Sequence, residues 1–216
     1  PLLDAVKRKY SREEALDRIG LDSDLPVVAI LPGSREGEIR RILPIMLSAG
    51  EILRKRIPDA QFVLTLADTL DADLIEEYTR SSSLPVRIVA DDAYDAVGSS
   101  DAAMVCSGTA TVETALLETP MIVVYRVSLL TYLVGRMVVS VDHIGMVNII
   151  AGKTVAPEFI QNGAHPAKMA DALYDLLKDR PKNEAVREEL KKIAKKLGEP
   201  GAAERAARLA CNLLQS

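Results

Sequence analysis

Five short runs of apolar, largely β-branched residues recur along the first 125 residues, separated by longer stretches with helical spacing. They predict β-strands at 27–31, 61–66, 86–89, 102–106 and 121–125. Three of these runs are nearly all apolar, which is typical of parallel strands covered on both faces. The alternation therefore predicts an α/β fold with a doubly wound parallel sheet, and such sheets bind ligands at the carboxyl ends of their strands.

Helical patterns complete the predicted domain. After the first strand, apolar residues share one helical face, but a proline inside a helix is costly, so Pro44 predicts that the regular helix begins near Ile42 and that 32–41 is an irregular loop. Further helices are predicted at 129–139, 166–177, 183–197 and 202–214. We expect a single domain over 1–216 whose helical tail, 183–216, is its least firmly held part, because narrow apolar stripes need a partner surface.

Composition excludes several classes of function. With 27 basic and 31 acidic residues the net charge is −4, so nucleic acid is not an expected partner. Two cysteines and two histidines cannot supply a multi-cysteine or three-histidine metal site, and we expect no metal. The apolar stretch 121–141 contains Arg126 and Arg136, which favours a buried strand that runs into an apolar helix over a membrane span. No secretory leader opens the chain, and the absence of an initial Met favours a fragment.

The first candidate site follows the first predicted strand. Gly33 allows a ligand to approach the backbone closely, Ser34 offers a hydroxyl donor, and the guanidinium of Arg35 matches the geometry of phosphate oxygens. An anion-binding turn is one interpretation. A plain strand-to-helix connection with a solvated arginine is the other, and the segment alone does not decide between them.

The second candidate is the segment from Ser107 to Glu113, which follows the fourth predicted strand and opens a helix. Unpaired N–H groups and the positive end of the helix dipole would suit a diphosphate there. Glu113, one helical turn in, could accept hydrogen bonds from sugar hydroxyls. The structural alternative is an ordinary capped helix, with a serine or threonine at the N-cap.

The third candidate lies in 145–161. The ending Gly152-Lys153-Thr154 resembles a Walker A loop, but the spacing of its glycines is wrong and no strand leads into it, so we reject a P-loop. Asn148 with Glu158 and Gln161 remains a polar set in apolar surroundings. Mutual structural pairing and a functional role are both open for this set, because buried amides and carboxylates need partners in either case.

Taken together, these segments resemble the carboxyl-terminal half of lipid-A-disaccharide synthase, over nearly the whole chain. The resemblance rests on Leu31 to Arg35 with Glu38, Ile39 and Pro44, on Ser107 to Glu113, and on Asn148 through Gly152 to Pro157, Glu158 and Gln161. It implies a Rossmann-like half of a glycosyltransferase-B fold with C-terminal helices. It also implies an inverting glycosyltransferase that moves 2,3-diacylglucosamine from UDP to 2,3-diacylglucosamine 1-phosphate, forming the lipid A disaccharide without a cofactor.

The resemblance assigns roles to individual residues. It implies that Arg35 and Asn148 are catalytic, that Arg35 meets the donor's diphosphate and that Glu113 binds ribose. Asn148, Glu158 and Gln161 resemble the family's polar cluster on the donor side. The implied donor-binding set is Gly33, Ser34, Arg35, Ser107, Gly108, Thr109, Ala110, Thr111, Glu113, Asn148, Glu158 and Gln161.

Partners and location also follow from the resemblance. It implies UDP-2,3-diacylglucosamine as donor, and an acylated glucosamine 1-phosphate acceptor bound through an amino-terminal half that is not in this sequence. It places the enzyme in the cytoplasm, peripheral to the inner face of the cytoplasmic membrane. A homodimer formed by exchange of the tail is a further expectation. Two alternatives stay open: another UDP-sugar enzyme of the same fold, such as a UDP-GlcNAc 2-epimerase or a peptidoglycan glycosyltransferase, and a non-catalytic nucleotide-binding module.

Overall fold

A six-stranded parallel sheet forms the centre of the molecule. The structure is a computed structural model that describes residues 2–67, 70, 72–127 and 143–214. Its strands are β1 (Val27–Leu31), β2 (Gln61–Thr65), β3 (Arg87–Val89), β4 (Ala102–Cys106), β5 (Met121–Tyr125) and β6 (Glu158–Ile160). The predicted α/β fold with a doubly wound sheet is confirmed. The sixth strand was missed, because it is three residues long and only partly buried and so has no continuous apolar run.

The strand order is β3-β2-β1-β4-β5-β6, so the direction in which the chain winds reverses between β1 and β4. These two strands pair directly, with Val28 beside Ala102 and Leu31 beside Val105. In open parallel sheets such a reversal leaves a crevice at the carboxyl ends of the two strands. The topology alone therefore places a ligand-sized opening after Leu31 and Cys106.

Helices cover both faces of the sheet. They are α1 (Leu2–Ala5), α2 (Arg12–Arg18), α3 (Glu36–Arg56), α4 (Ala72–Ser81), α5 (Ala93–Gly98), α6 (Thr109–Leu116), α7 (Met146–Ala151), α8 (Pro166–Lys178), α9 (Arg180–Lys196) and α10 (Ala202–Leu214), with a 3₁₀ turn at Gln161–Gly163. Alternate strand residues serve the two faces: Val28 and Ile30 pack in one core cluster, and Val27 and Ala29 in the other. None of the helices that the structure describes is long and apolar enough to cross a bilayer.

The start of α3 corrects a prediction. The helix begins at Glu36 and contains Pro44 in its interior, whereas the sequence predicted an irregular loop over 32–41. Packing explains the difference, because Ile39, Ile42 and Met46 are all fully buried against the sheet, and this burial offsets the hydrogen bond that the proline removes. The connection between β1 and the helix is therefore short, which holds Gly33 and Arg35 close to the sheet edge. The predicted helix at 129–139 lies outside the described residues.

The helical tail divides into two parts that differ in packing. On α9, Leu190 and Ile193 are 0% and 2% exposed and join the core cluster that contains Val27. The expectation of a loosely held tail is therefore wrong for α9, because its apolar stripe finds a partner surface on its own domain. On α10, residues 203–208 and 210–212 are exposed. Exchange of a tail between two copies remains a prediction, and it is now confined to α10.

Candidate functional site

A cavity of about 430 Å³ opens at the carboxyl ends of β1 and β4, over the point where the winding reverses. Its volume is in the range typical of small-molecule sites. Two glycine-containing connections face each other across it, one after each strand. The lining residues are Leu31, Gly33, Ser34, Arg35, Glu38, Thr65, Leu66, Ala67, Ala93, Tyr94, Val97, Cys106, Ser107, Gly108, Thr109, Ala110, Glu113, Thr114 and Leu117. The structure thus brings together the first two segments that the sequence singled out.

The connection after β1 requires a glycine at position 33. Its φ of +115° is a conformation that residues with a side chain rarely adopt. A Cβ atom here would also lie 2.5 Å from Oε2 of Glu38 and 3.3 Å from Sγ of Cys106. Gly33 therefore lets the backbone turn sharply from the strand into α3 and leaves the cavity open above it.

Arg35 is the last residue of this connection and the N-cap of α3. Its side chain is 81% exposed, and its Nη1 lies 3.0 Å from Oε1 of Glu38. The other oxygen of the same carboxylate accepts a hydrogen bond of 3.1 Å from the backbone N–H of Ser34. Glu38 thus occupies the position in which the loop would hold an anion: it faces a backbone donor and a guanidinium at once. The residue lies four positions past Ser34 on the first turn of the helix, a spacing that sequence reasoning did not use.

The connection after β4 ends at the N-terminus of α6. Gly108 is the N-cap, with φ 149° and ψ −160°, and no side chain caps the helix. A Cβ atom at Gly108 would meet nothing within 4 Å, so the space in front of the helix is open. Helix N-termini carry unpaired N–H groups and a partial positive charge of about half an elementary charge. The alternative of an ordinary Ser/Thr-capped helix is therefore wrong.

Two hydroxyl groups of this segment are used within the protein. Ser107 donates to the carbonyl oxygen of Ile144 at 3.1 Å, and Thr111 donates to that of Gly108 at 2.8 Å. Thr111 is fully buried, whereas Thr109 is exposed at the first position of the helix. The N–H groups of Thr109 and Ala110 are therefore the parts of this segment best placed for an anion, and a backbone cradle stays a prediction.

Glu113 and Tyr94 form a polar pair on the cavity wall. The hydroxyl of Tyr94 donates to Oε1 of Glu113 at 3.3 Å. Burial, aided by the negative charge of Glu113, raises the pKa of Tyr94, so the phenol stays protonated and remains a donor. Sequence reasoning did not identify Tyr94, whose one signal is its place just after the third predicted strand, at the same edge of the sheet.

Cys106 lines the cavity as a buried side chain. Burial, reinforced by the nearby carboxylate of Glu38, raises the pKa of its thiol to about 12. A thiol with this pKa is protonated at neutral pH and is a poor nucleophile. Among the residues that the structure describes, no three side chains of His, Cys, Asp or Glu converge in a way that could hold a metal ion.

Asn148 lies apart from the cavity lining, in a buried network of its own. Its Oδ1 accepts from the backbone N–H groups of Val155 and Ala156 at 2.8 and 2.9 Å. Its Nδ2 donates to the carbonyl oxygen of Ala156 at 2.7 Å and to Oε1 of Glu158 at 2.8 Å. Both ends of the amide are thus bonded within the protein, and the side chain is fully buried.

Glu158 completes this network. Its Oε1 also accepts from the N–H of Gly145 at 3.0 Å, and its Oε2 accepts from that of Ile144 at 2.9 Å. Asn148 and Glu158 together fix residues 144–156, and through the Ile144 carbonyl this segment holds Ser107 at the edge of the cavity. Because its bonds are internal, the geometry favours the structural interpretation of this pair.

Gln161 bonds to a different part of the chain. Its side-chain amide accepts from the N–H of Val127 at 2.9 Å and donates to the carbonyl oxygen of the same residue at 3.2 Å. The three residues that the resemblance grouped as one polar cluster are therefore divided. Asn148 and Glu158 bond to each other, whereas Gln161 bonds to Val127, just after the end of β5.

Comparison with known proteins identifies the family of the chain. A profile of the family described as Lipid-A-disaccharide synthetase matches residues 1–211. The chain is 51% identical over 216 residues to a lipid-A-disaccharide synthase of Syntrophus aciditrophicus, and 43% identical over 215 residues to one of Geobacter metallireducens. These alignments cover 100% and 99% of this chain but 56% of each relative. The chain thus spans little more than half the length of the curated relatives that it matches.

Solved structures match the fold at low sequence identity. WaaG, a glycosyltransferase involved in lipopolysaccharide biosynthesis, superposes with a TM-score of 0.60 at 15% identity, over 97% of this chain and 53% of its own. Anabaena Alr3699/HepE, in complex with UDP-glucose, gives 0.58 at 15% identity over 86% and 48%. The fold is therefore that of one half of a glycosyltransferase of the B type. By its sequence, over nearly its whole length, the chain belongs to the lipid-A-disaccharide synthetase family.

Proposed function

We propose that this chain is the donor-binding, carboxyl-terminal half of a lipid-A-disaccharide synthase and that its cavity holds UDP-2,3-diacylglucosamine. One observation carries the proposal: the cavity at the reversal point is bounded by the Gly33 connection on one side and by the open N-terminus of α6 on the other. Both features favour a phosphorylated ligand, because they present backbone donors and positive charge to the same space.

The diphosphate of the donor would lie between Arg35 and the first turn of α6. Arg35 lines the cavity, and its exposed side chain can turn toward a ligand without disturbing the core. Charge-assisted hydrogen bonds to phosphate are about twice as strong as neutral ones. During transfer, negative charge grows on the departing UDP, so the same groups would stabilise the transition state more than the bound donor.

The ribose would lie beside Glu113. The bond from Tyr94 engages one oxygen of the carboxylate and holds its orientation, while Glu113 still faces the cavity. A carboxylate in this position accepts hydrogen bonds from adjacent sugar hydroxyls. Asn148 and Glu158 would act on the donor indirectly, by fixing the segment to which Ser107 is bonded.

Transfer itself needs a second set of residues. An inverting transfer to the acceptor hydroxyl requires a base within hydrogen-bond reach of that hydroxyl, opposite the departing UDP. We assign the base and most of the acceptor site to an amino-terminal half, consistent with relatives of which this chain covers 56%. We also place the enzyme in the cytoplasm at the inner face of the cytoplasmic membrane, where a diacylated donor and acceptor would be met.

A calorimetric titration of the chain with UDP, ADP and GDP tests the proposal. We expect UDP to bind, the two purine nucleotides to bind more weakly, and a crystal soaked with UDP to show density between Gly33 and Thr109. Equal affinity for all three nucleotides would favour a general phosphate-binding module. Density at another place on the molecule would refute the assigned site.

A further inference from the structure

A second groove, of about 490 Å³, lies near the same edge of the sheet, outside the donor cavity. It runs between the second turn of α3 and the chain that follows β5 and β6. Its lining residues are Arg40, Arg41, Pro44, Ile45, Arg126, Val127, Gln161 and Asn162. None of these residues has a role in the donor site described above, apart from the resemblance-based expectation for Gln161.

The groove has an excess of positive charge in a chain whose net charge is −4. Of its three arginines, Arg40 is paired with Glu36, whose Oε1 accepts from Nε at 2.9 Å and from Nη2 at 2.7 Å. Arg41 donates from Nη1 to the carbonyl oxygen of Gly37 at 2.6 Å, and its charge is not neutralised by that contact. Arg126 is exposed at the end of β5. Among the residues that the structure describes here, three guanidinium charges against one carboxylate leave an excess of two positive charges.

The walls of the groove are firmly held. Gln161 has a positive φ of 49° and is 8% exposed, and its amide is bonded twice to Val127. These two hydrogen bonds fix the backbone next to Arg126 and the backbone next to Asn162 relative to each other. On the opposite wall, Pro44 has no N–H to donate to the carbonyl oxygen of Arg40. That oxygen therefore lacks the helical donor that a residue other than proline would supply at position 44.

We propose that this groove binds a phosphomonoester, and that in the complete enzyme it receives the 1-phosphate of the acceptor sugar. A phosphomonoester carries between one and a half and two negative charges at neutral pH, roughly, which matches the local excess. The amide of Asn162 and the carbonyl of Arg40 offer partners for hydroxyls of the attached sugar. The role in the acceptor site rests on the proposed function; binding of the phosphate does not.

The nearest alternative ligand is the phosphodiester headgroup of an anionic lipid. It carries one negative charge and fewer terminal oxygens, so it would leave part of the arginine charge unmatched. The two sources can be separated with soluble probes, because glucosamine 1-phosphate is a monoester and glycerophosphoglycerol is a diester. A monoester site should favour the first by at least about tenfold, which is the lower end of the effect expected for one lost charge-assisted contact.

The test is a titration of the chain with glucosamine 1-phosphate, in the presence of saturating UDP. We expect binding that UDP does not displace, and a dissociation constant at least about tenfold higher in the double variant Arg41→Gln/Arg126→Gln. Arg80→Gln is the matched control, because Arg80 is an exposed arginine on α4 that also pairs within its helix. The control should bind as the parent chain does.

Several outcomes of this titration would contradict the proposed phosphomonoester site. Unchanged affinity in the double variant, an equal loss in Arg80→Gln, displacement by UDP, or no binding of glucosamine 1-phosphate would each overturn the proposal. Preference for glycerophosphoglycerol, together with salt-sensitive binding to phosphatidylglycerol vesicles, would overturn it in favour of a lipid-surface contact. Failure of UDP to bind would refute the proposed donor site, while the titration without UDP would still decide on the groove.

Discussion

The donor cavity and the Asn148–Glu158 network show how differently two polar regions with similar sequence signals can be used. Both combine small residues with charged or amide side chains. In the cavity, the first turn of α6 has no side-chain cap, and Gly108 faces open space. In the network, both ends of the Asn148 amide and both oxygens of Glu158 accept or donate bonds inside the protein.

The comparison indicates that a ligand site in this fold is distinguished by polar groups left open to solvent, and less by the number of polar residues. Burying a polar group without a partner costs free energy, so a buried amide is bonded wherever the backbone can reach it. A helix N-terminus at a sheet edge can instead leave its donors to solvent, and solvent can be exchanged for a ligand. The cavity should therefore control binding, and the network should control stability.

We expect the largest effect on the rate of sugar transfer. The chain alone should bind the donor yet form no disaccharide at an enzymatic rate, because orienting two bound reactants accounts for about 7–11 kcal/mol of barrier lowering and the acceptor is not positioned. A radiolabelled donor assay with acylated glucosamine 1-phosphate checks this, first with the chain alone and then with the amino-terminal half of a relative added. Rapid transfer by the chain alone would contradict the division of roles.

Removing the amide from the closed network should affect folding. In Asn148→Ala, two backbone N–H groups, one carbonyl and a carboxylate lose their partner, so we expect the free energy of unfolding to fall by about 2–4 kcal/mol. Urea unfolding measures this, with Asn212→Ala on exposed α10 as the control. The folded fraction should keep its affinity for UDP. An unchanged unfolding curve with lost UDP binding would instead make Asn148 a ligand contact.

Removing the guanidinium from the donor cavity should lower the affinity for UDP and leave stability unchanged. Arg35→Ala should weaken UDP binding roughly ten- to hundredfold, because a charge-assisted contact to phosphate is lost. Its melting temperature should stay the same, since the side chain is exposed and a surface ion pair contributes little to stability. Arg54→Ala, at the exposed far end of the same helix, is the control for a loss of charge. A lower melting temperature with unchanged UDP affinity would show instead that Arg35 stabilises the fold and does not contact the ligand.

Much of the fold followed from strand periodicity, and the position of the cavity followed from a general rule. Short apolar, largely β-branched runs located five of the six strands that the structure describes, and the carboxyl ends of β1 and β4 had to meet at one edge of a parallel sheet. The short, half-buried β6 carried no such signal. The interior position of Pro44 was missed for another reason: local propensity opposed the helix, and tertiary packing of Ile39 and Ile42 determined the outcome.

The site was less accessible to sequence reasoning, because bonding partners depend on the tertiary structure. Nothing in the sequence indicates that Gln161 bonds to Val127 instead of Asn148, or that Glu113 is held by Tyr94. The pairing of Glu38 with both Ser34 and Arg35 was missed too, although all three lie within five residues of one another. Motifs therefore identified the candidate residues, and geometry separated those that face the cavity from those that support it.

Glu38 partly closes the otherwise open donor cavity, and its replacement should change UDP affinity only slightly. Its carboxylate bonds to the Ser34 N–H and to Arg35, so a diphosphate must compete with it for both donors. In Glu38→Gln the amide oxygen can still accept from Ser34, but the charge that holds Arg35 is gone. We expect UDP to bind about two- to fivefold more tightly, corresponding to about 0.5–1 kcal/mol, the usual range for an exposed ion pair.

The matched control for this effect is Glu36→Gln. Glu36 lies on the same helical turn but pairs with Arg40, so its loss should leave UDP affinity unchanged and separate a local competition from a general change in charge. The gain in Glu38→Gln should also disappear when Arg35→Ala is added, because the two residues act through one ion pair. Weaker UDP binding in Glu38→Gln would show instead that the carboxylate contacts the ligand. In that case Glu38 would belong with Glu113 among the acceptors for sugar hydroxyls.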